Sequence, residues 1–87
     1  MYAIGPSKGP TKIGFTNNLE TRLRAIQTGN PEKIQIHYSI EFDTEKEMRI
    51  AEKKIHRTLS HKRTKGEWFD ILPEDARLEL QHLLIIS

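Results

Sequence analysis

From Lys33 to Phe42 the chain alternates without a break, with Ile34, Ile36, Tyr38, Ile40 and Phe42 on one side and Lys33, Gln35, His37, Ser39 and Glu41 on the other. Successive side chains of a strand point to opposite faces, so the pattern predicts a half-buried strand over residues 33–42. Two shorter apolar or β-branched runs, Tyr2 to Gly5 and Thr11 to Phe15, precede it. They are separated by Gly5-Pro6-Ser7-Lys8-Gly9-Pro10, whose glycines and prolines suit a hairpin loop. That loop is not a phosphate-binding loop: its glycines are four apart and Gly9 is followed by Pro10, which breaks the required spacing.

Helical periodicity fills the rest. Asn17, with Glu20 three residues on, reads as a capping pair opening a helix with the apolar stripe Leu19, Leu23 and Ile26, closed by Gly29 and Pro31. Asp43 or Thr44 caps a second helix, whose stripe is Met48, Ala51, Ile55 and Leu59 and whose Glu45 and Arg49 form an i,i+4 pair; it frays near Ser60. Glu67, Trp68, Phe69 and Ile71 form a compact aromatic segment. Pro73, Glu74 and Asp75 then make a first turn for a last helix packing through Ala76, Leu80, Leu83 and Leu84. The expected fold is α+β, a small antiparallel sheet (hairpin plus third strand) with packed helices in two layers, in the order β-β-α-β-α-(short extended)-α.

With 87 residues, no internal repeat and no linker, the chain reads as one domain over residues 1–87 with a small core. There is no cysteine, which excludes disulfides, thiolate metal sites and a cysteine nucleophile. The longest aliphatic run, Leu83 to Ile86, is too short to span a bilayer, and no basic leader follows Met1, so the expected location is cytoplasmic. The formal net charge of +2 says little about partners, but its distribution says more. Lys53, Lys54, Arg57, Lys62, Arg63 and Lys65 fall in a thirteen-residue stretch without an acid, a pattern that attracts phosphates or forms a solvated face.

Several of these residues carry a resemblance. Tyr2-Ala3-Ile4, then Lys12-Ile13-Gly14 ten residues after Tyr2, then Arg22 ten residues after Lys12 resemble the signature strands and helix arginine of the GIY-YIG nuclease superfamily. Ala51-Glu52, His56 and Gly66-Glu67-Trp68-Phe69 are similar to its small phage-type branch, with a KIG second motif and a GEWF-like segment. The resemblance implies a nuclease fold in which Tyr2, Lys12, Arg22 and Glu52 are catalytic and Glu52 is the metal ligand. Lys12 stands where the superfamily has a tyrosine, and the asparagine that usually closes the site has no clear counterpart. Glu67 or Trp68 lies near that position, and His56 and Glu67 are further candidate site residues.

The residue types suit phosphodiester hydrolysis, which requires an activated water and neutralisation of charge growing on the phosphate. A hard cation such as Mg²⁺ or Mn²⁺ needs only one or two carboxylates. Arg22 offers a planar charged fork, and Lys12, desolvated beside it, is a candidate base or phosphate contact. Bland alternatives accompany each. Tyr2 can be a core aromatic, Arg22 can snorkel beside the stripe, the Glu52–His56 pair can be surface electrostatics, and Trp68 and Phe69 read as core closure rather than base-stacking platforms. His37, His61 and His82 lack metal-site spacing, which argues against zinc. The expected function is a divalent-metal-dependent endonuclease acting on DNA, with RNA as a lesser alternative and a protein partner supplying sequence specificity. The competing readings are a nucleic-acid-binding or regulatory module without cleavage and a protein-interaction domain.

Overall fold

A computed structural model describes residues 1–86, with side chains described through residue 83. The elements are β1 (Tyr2–Gly5), β2 (Thr11–Gly14), α1 (Leu19–Thr28), β3 (Gln35–Ser39), α2 (Glu45–Thr58), a 3₁₀ turn (Ser60–Lys62), β4 (Arg63–Lys65), β5 (Trp68–Phe69) and α3 (Pro73–Ile86). All the strand pairings are antiparallel, and the sheet order is β3-β1-β2-β5-β4. The expected α+β class and element order stand. The short extended segment is a hairpin, β4–β5, that enlarges the sheet from three strands to five.

Alternation along the hairpin decides what covers each face. Ala3 pairs with Ile13 and joins Phe69 in a cluster with Ala51, Ile55 and Leu59 from the α2 region and Ala76, Leu80 and Leu83 from α3. Tyr2 and Ile4 point the other way, where Ile34 and the α1 residues Leu19, Leu23 and Ile26 cover them. Helices therefore lie on both faces, making three layers where two were expected. The last-helix stripe holds at Ala76, Leu80 and Leu83, while the side chain of Leu84 lies outside the described residues.

Two local expectations shift. α1 is capped by Asn18, whose side chain accepts from Thr21 N–H at 3.1 Å, and not by Asn17. β3 covers only residues 35–39, and its apolar residues do not share one face. Ala3 stands opposite Tyr38 and Ile4 opposite Ile36, so His37 is an extra residue on β3. Such a bulge turns the strand over. Ile34 packs on the α1 side, whereas Tyr38, Ile40 and Phe42 pack against the α2–α3 cluster. The expected α2 features are all present: Thr44 caps it, Met48, Ala51 and Ile55 are buried, and Arg49 meets Glu45 at 2.7 Å. Among the described residues, no helix is long and apolar enough to cross a membrane.

Candidate functional site

The site forms where β5 begins beside β2. Ile13 directs its N–H toward the β5 side, where it donates to the carbonyl of Glu67 at 2.9 Å. The carbonyl of an extended residue points to the same side as its N–H, and here it accepts from His56 Nε2, reaching across from α2, at 2.8 Å. A carbonyl can only accept, so Nε2 carries the proton and the neutral ring keeps its lone pair on Nδ1. The Phe69 ring, 5.1 Å away centroid to centroid, packs against this imidazole.

Glu67 reaches the same point from the β4–β5 turn. Gly66, at φ +58°, occupies the first of the two turn positions, where a type II′ hairpin needs a positive φ. The Oε1 of Glu67 accepts from the Tyr2 hydroxyl at 3.2 Å and lies 3.6 Å from Arg22 Nη2 and 3.9 Å from Lys12 Nζ. Arg22 Nε donates to the same Tyr2 hydroxyl at 3.0 Å. The carboxylate has room because Gly14 has no side chain: a Cβ there would sit 2.5 Å from Glu67 Oε1.

Glu52 and His56 stand one turn apart on the side of α2 next to this network. One ligand atom each from Glu52, His56 and Glu67 lies within 4.8 Å of the others. The Oε2 of Glu52 is buried and has no hydrogen-bond partner among the described residues. An unpartnered buried carboxylate oxygen is costly, and burial accordingly raises the Glu52 pKa, with His56 opposing and Glu67 adding to the rise. Two carboxylates, one with an unsatisfied oxygen, and an imidazole drawn this close together make a donor set that fits a divalent cation.

The neighbouring groups are tuned as well. Burial pushes the Tyr2 phenol up to about 12, so it stays protonated and acts as a donor at physiological pH. Burial lowers the Lys12 amine, while Glu67 pulls it back up. Lys12 Nζ also lies 5.4 Å from the centroid of the Trp68 ring.

The structure thus gathers Tyr2, Lys12, Arg22, Glu52, His56 and Glu67 around one point. It does not bring the basic stretch there. Lys53, Lys54 and Arg57 are exposed on the outer side of α2, Lys62 is exposed in the 3₁₀ turn, and Arg63 and Lys65 are exposed on the edge strand β4. The Glu52–His56 pair is half-buried rather than plain surface electrostatics. The aromatic pair splits, with Phe69 fully buried and Trp68 partly exposed. Reasoning from sequence missed the central place of Glu67. Its signal was the Gly66-Glu67 pair between two short extended runs, which marks a tight turn.

No curated protein and no solved structure matches the chain. The family model that matches is the T5orf172 domain, over residues 2–83, and no GIY-YIG family model does. This overturns the resemblance to the GIY-YIG superfamily and its phage-type branch. The words that carried it, Tyr2-Ala3-Ile4 and Lys12-Ile13-Gly14, report a paired hairpin with Ala3 and Ile13 turned inward, which is not the mark of one family. The residue roles taken from that superfamily lose their warrant and rest on geometry alone. Matched along nearly its whole length, the chain belongs to the T5orf172 domain family, a nuclease-associated family compatible with action on DNA.

Proposed function

We propose that this T5orf172 domain is a divalent-metal-dependent endonuclease that hydrolyses phosphodiester bonds in DNA. The observation that carries the reading is the meeting of Glu52, His56 and Glu67 within 4.8 Å beside the unpartnered Glu52 Oε2. Glu52, Glu67 and His56 would hold the cation. The carboxylates suit Mg²⁺ and Mn²⁺ alike, and the imidazole shifts the set toward Mn²⁺. When bound, such an ion polarises a phosphoryl oxygen and offsets charge that grows during hydrolysis.

The protein's own groups supply the rest. Arg22 spends its Nε on Tyr2, and its side chain keeps 40% of its surface exposed, so its outer edge remains open to phosphate oxygens. Lys12, held beside Glu67, adds a second cation on the same side. Tyr2 orients Glu67 and Arg22, donating to the first and accepting from the second. Groups fixed in this way need little rearrangement as charge develops, which is the basis of electrostatic stabilisation.

The test is incubation with supercoiled plasmid in Mn²⁺, Mg²⁺ or EDTA, with Glu52→Gln as the matched variant. The expected outcome is nicking by wild type in metal alone and none by the variant. No nicking with either metal would transfer support to a non-cleaving DNA-binding module. Nicking that continues in EDTA would remove the metal from the reaction.

A further inference from the structure

Beside this cluster, between α1 and the β2–β5 pair, lies a cleft of about 350 Å³. Lys12 and Trp68 wall it on the sheet, and Arg22, Ala25, Ile26, Gly29 and Asn30 wall it on the α1 side. On the α1 side Ala25 and Gly29, four residues apart, project almost nothing into it, and Ile26 adds apolar surface. Trp68 faces this side because Thr11 pairs with Phe69, which goes to the core, while Lys12 pairs with Trp68. Lys65 stands opposite Trp68 on β4, so the indole sits in a row between two lysines. At the far end, Asn30 Oδ1 accepts from Glu32 N–H at 3.0 Å. That bond fixes the amide so that its NH₂ group is the donor left over.

We propose that this cleft holds the unpaired base of a nucleotide whose phosphate lies on Arg22 and Lys12, with Trp68 as the stacking platform and Asn30 as a donor to the base edge. The inference deepens the nuclease reading and rests on it for the phosphate position. Arg22 and Lys12 line both the cleft and the cluster, so a phosphate at the one places its sugar and base at the other. The volume falls in the range of about 300–1,000 Å³ usual for small-ligand sites. The indole already attracts the Lys12 ammonium. A base stacking on it takes over that face as Lys12 moves onto the phosphate. A base paired within a duplex cannot enter such a cleft, so the site selects single-stranded or extruded nucleotides.

Trp68 is the chain's one tryptophan and reports on its own site. Its fluorescence is titrated in EDTA, where no metal-dependent cleavage occurs, with a DNA single strand, with the same sequence as a duplex, and with a base-free strand of equal length. Quenching by the single strand, and little by the other two at saturation measured by anisotropy, is the expected result. In anisotropy with the single strand, Trp68→Leu should weaken binding by about 5- to 150-fold, the range for loss of one stacked base, while Trp68→Phe retains most of the affinity. Equal quenching by the base-free strand or the duplex overturns the inference, as does unchanged affinity in a folded Trp68→Leu. If a leucine variant fails to fold on melting, the wild-type titration decides alone. Base-dependent quenching without plasmid nicking would support the cleft and sink the cleavage reading. Nicking without base-dependent quenching would do the reverse.

Discussion

Glu52 holds one carboxylate oxygen away from both solvent and partners, close to a second carboxylate. Its pKa is raised, mainly by burial, so the folded protein binds that proton more tightly than the unfolded chain does. The stability this contributes is fully present below the usual carboxylate range, near pH 4, and is lost as pH rises through the raised value. In EDTA at neutral pH, Glu52→Gln should therefore melt at or above wild type, with the gap closing as pH falls toward 4. Mn²⁺ should raise the melting temperature of wild type and leave the variant unmoved, because a ligand stabilises only the state that binds it. A variant less stable than wild type in neutral EDTA would contradict this account of Glu52. Gly14 allows a second test at the same scale. Its backbone is not in the positive-φ region, so alanine fits the chain, but the new Cβ would lie 2.5–2.8 Å from the carboxylate of Glu67. That carboxylate is the mobile end of a side chain and should yield before the strand does. Gly14→Ala should thus keep the fold, at a cost of about 1 kcal/mol or less, while losing the Mn²⁺ shift in melting and the nicking activity. Wild-type nicking by a folded Gly14→Ala would remove Glu67 from the site.

α2 does three jobs with its three sides. Met48, Ala51 and Ile55 enter the core, Glu52 and His56 flank that stripe at the site, and Lys53, Lys54 and Arg57 face solvent. If the outward side binds phosphates, replacing Lys53, Lys54 and Arg57 with glutamine should flatten the salt dependence of DNA binding by about 0.9 in slope for each phosphate no longer neutralised. The Mn²⁺ effect on melting should remain. An unchanged slope by fluorescence anisotropy would show these cations to be a solvated face only. The stripe of α2 was legible in the sequence because its period is local. The two sides of β3 were not. The alternation marked a strand, but the bulge at His37 depends on pairing with Ala3 and Ile4, more than thirty residues earlier. β4 and β5, at three and two residues, are too short to show any period. Within the site, the four-residue spacing of Glu52 and His56 was readable, whereas the meeting of Glu67 with Tyr2 spans 65 positions and follows from β2 lying between β1 and β5. The short hairpin words pointed to the wrong family because they encode strand pairing, which many sheets share.

The molecule as a whole is unevenly built. Among the described residues, the face under α2 and α3 carries a cluster of eleven buried residues, including Phe69, Ile55 and Leu80. The face under α1 has three, Tyr2, Ile4 and Ile34, and α1 itself has no fully buried residue. Since stabilisation follows buried apolar area, α1 should be the layer that opens most easily. Ile55→Ala should cost about 2–5 kcal/mol, as loss of a fully buried aliphatic side chain does, and Leu23→Ala less than half of that. In native-state hydrogen exchange, α1 amides should exchange through local opening, well before those of α2, β1 and β2. The unevenness has a functional side, because α1 carries Arg22 and one wall of the cleft, with Ala25 and Gly29, while the other wall, with Lys12 and Trp68, belongs to the sheet. A nucleotide bridging the two walls would tie the weaker layer to the stronger one. Single-stranded DNA added in EDTA should then slow exchange in α1 far more than in α2. Equal protection of α1 and α2 in the free protein would refute the uneven build. Protection by DNA that spread evenly over all the helices would place the ligand somewhere other than between α1 and the sheet.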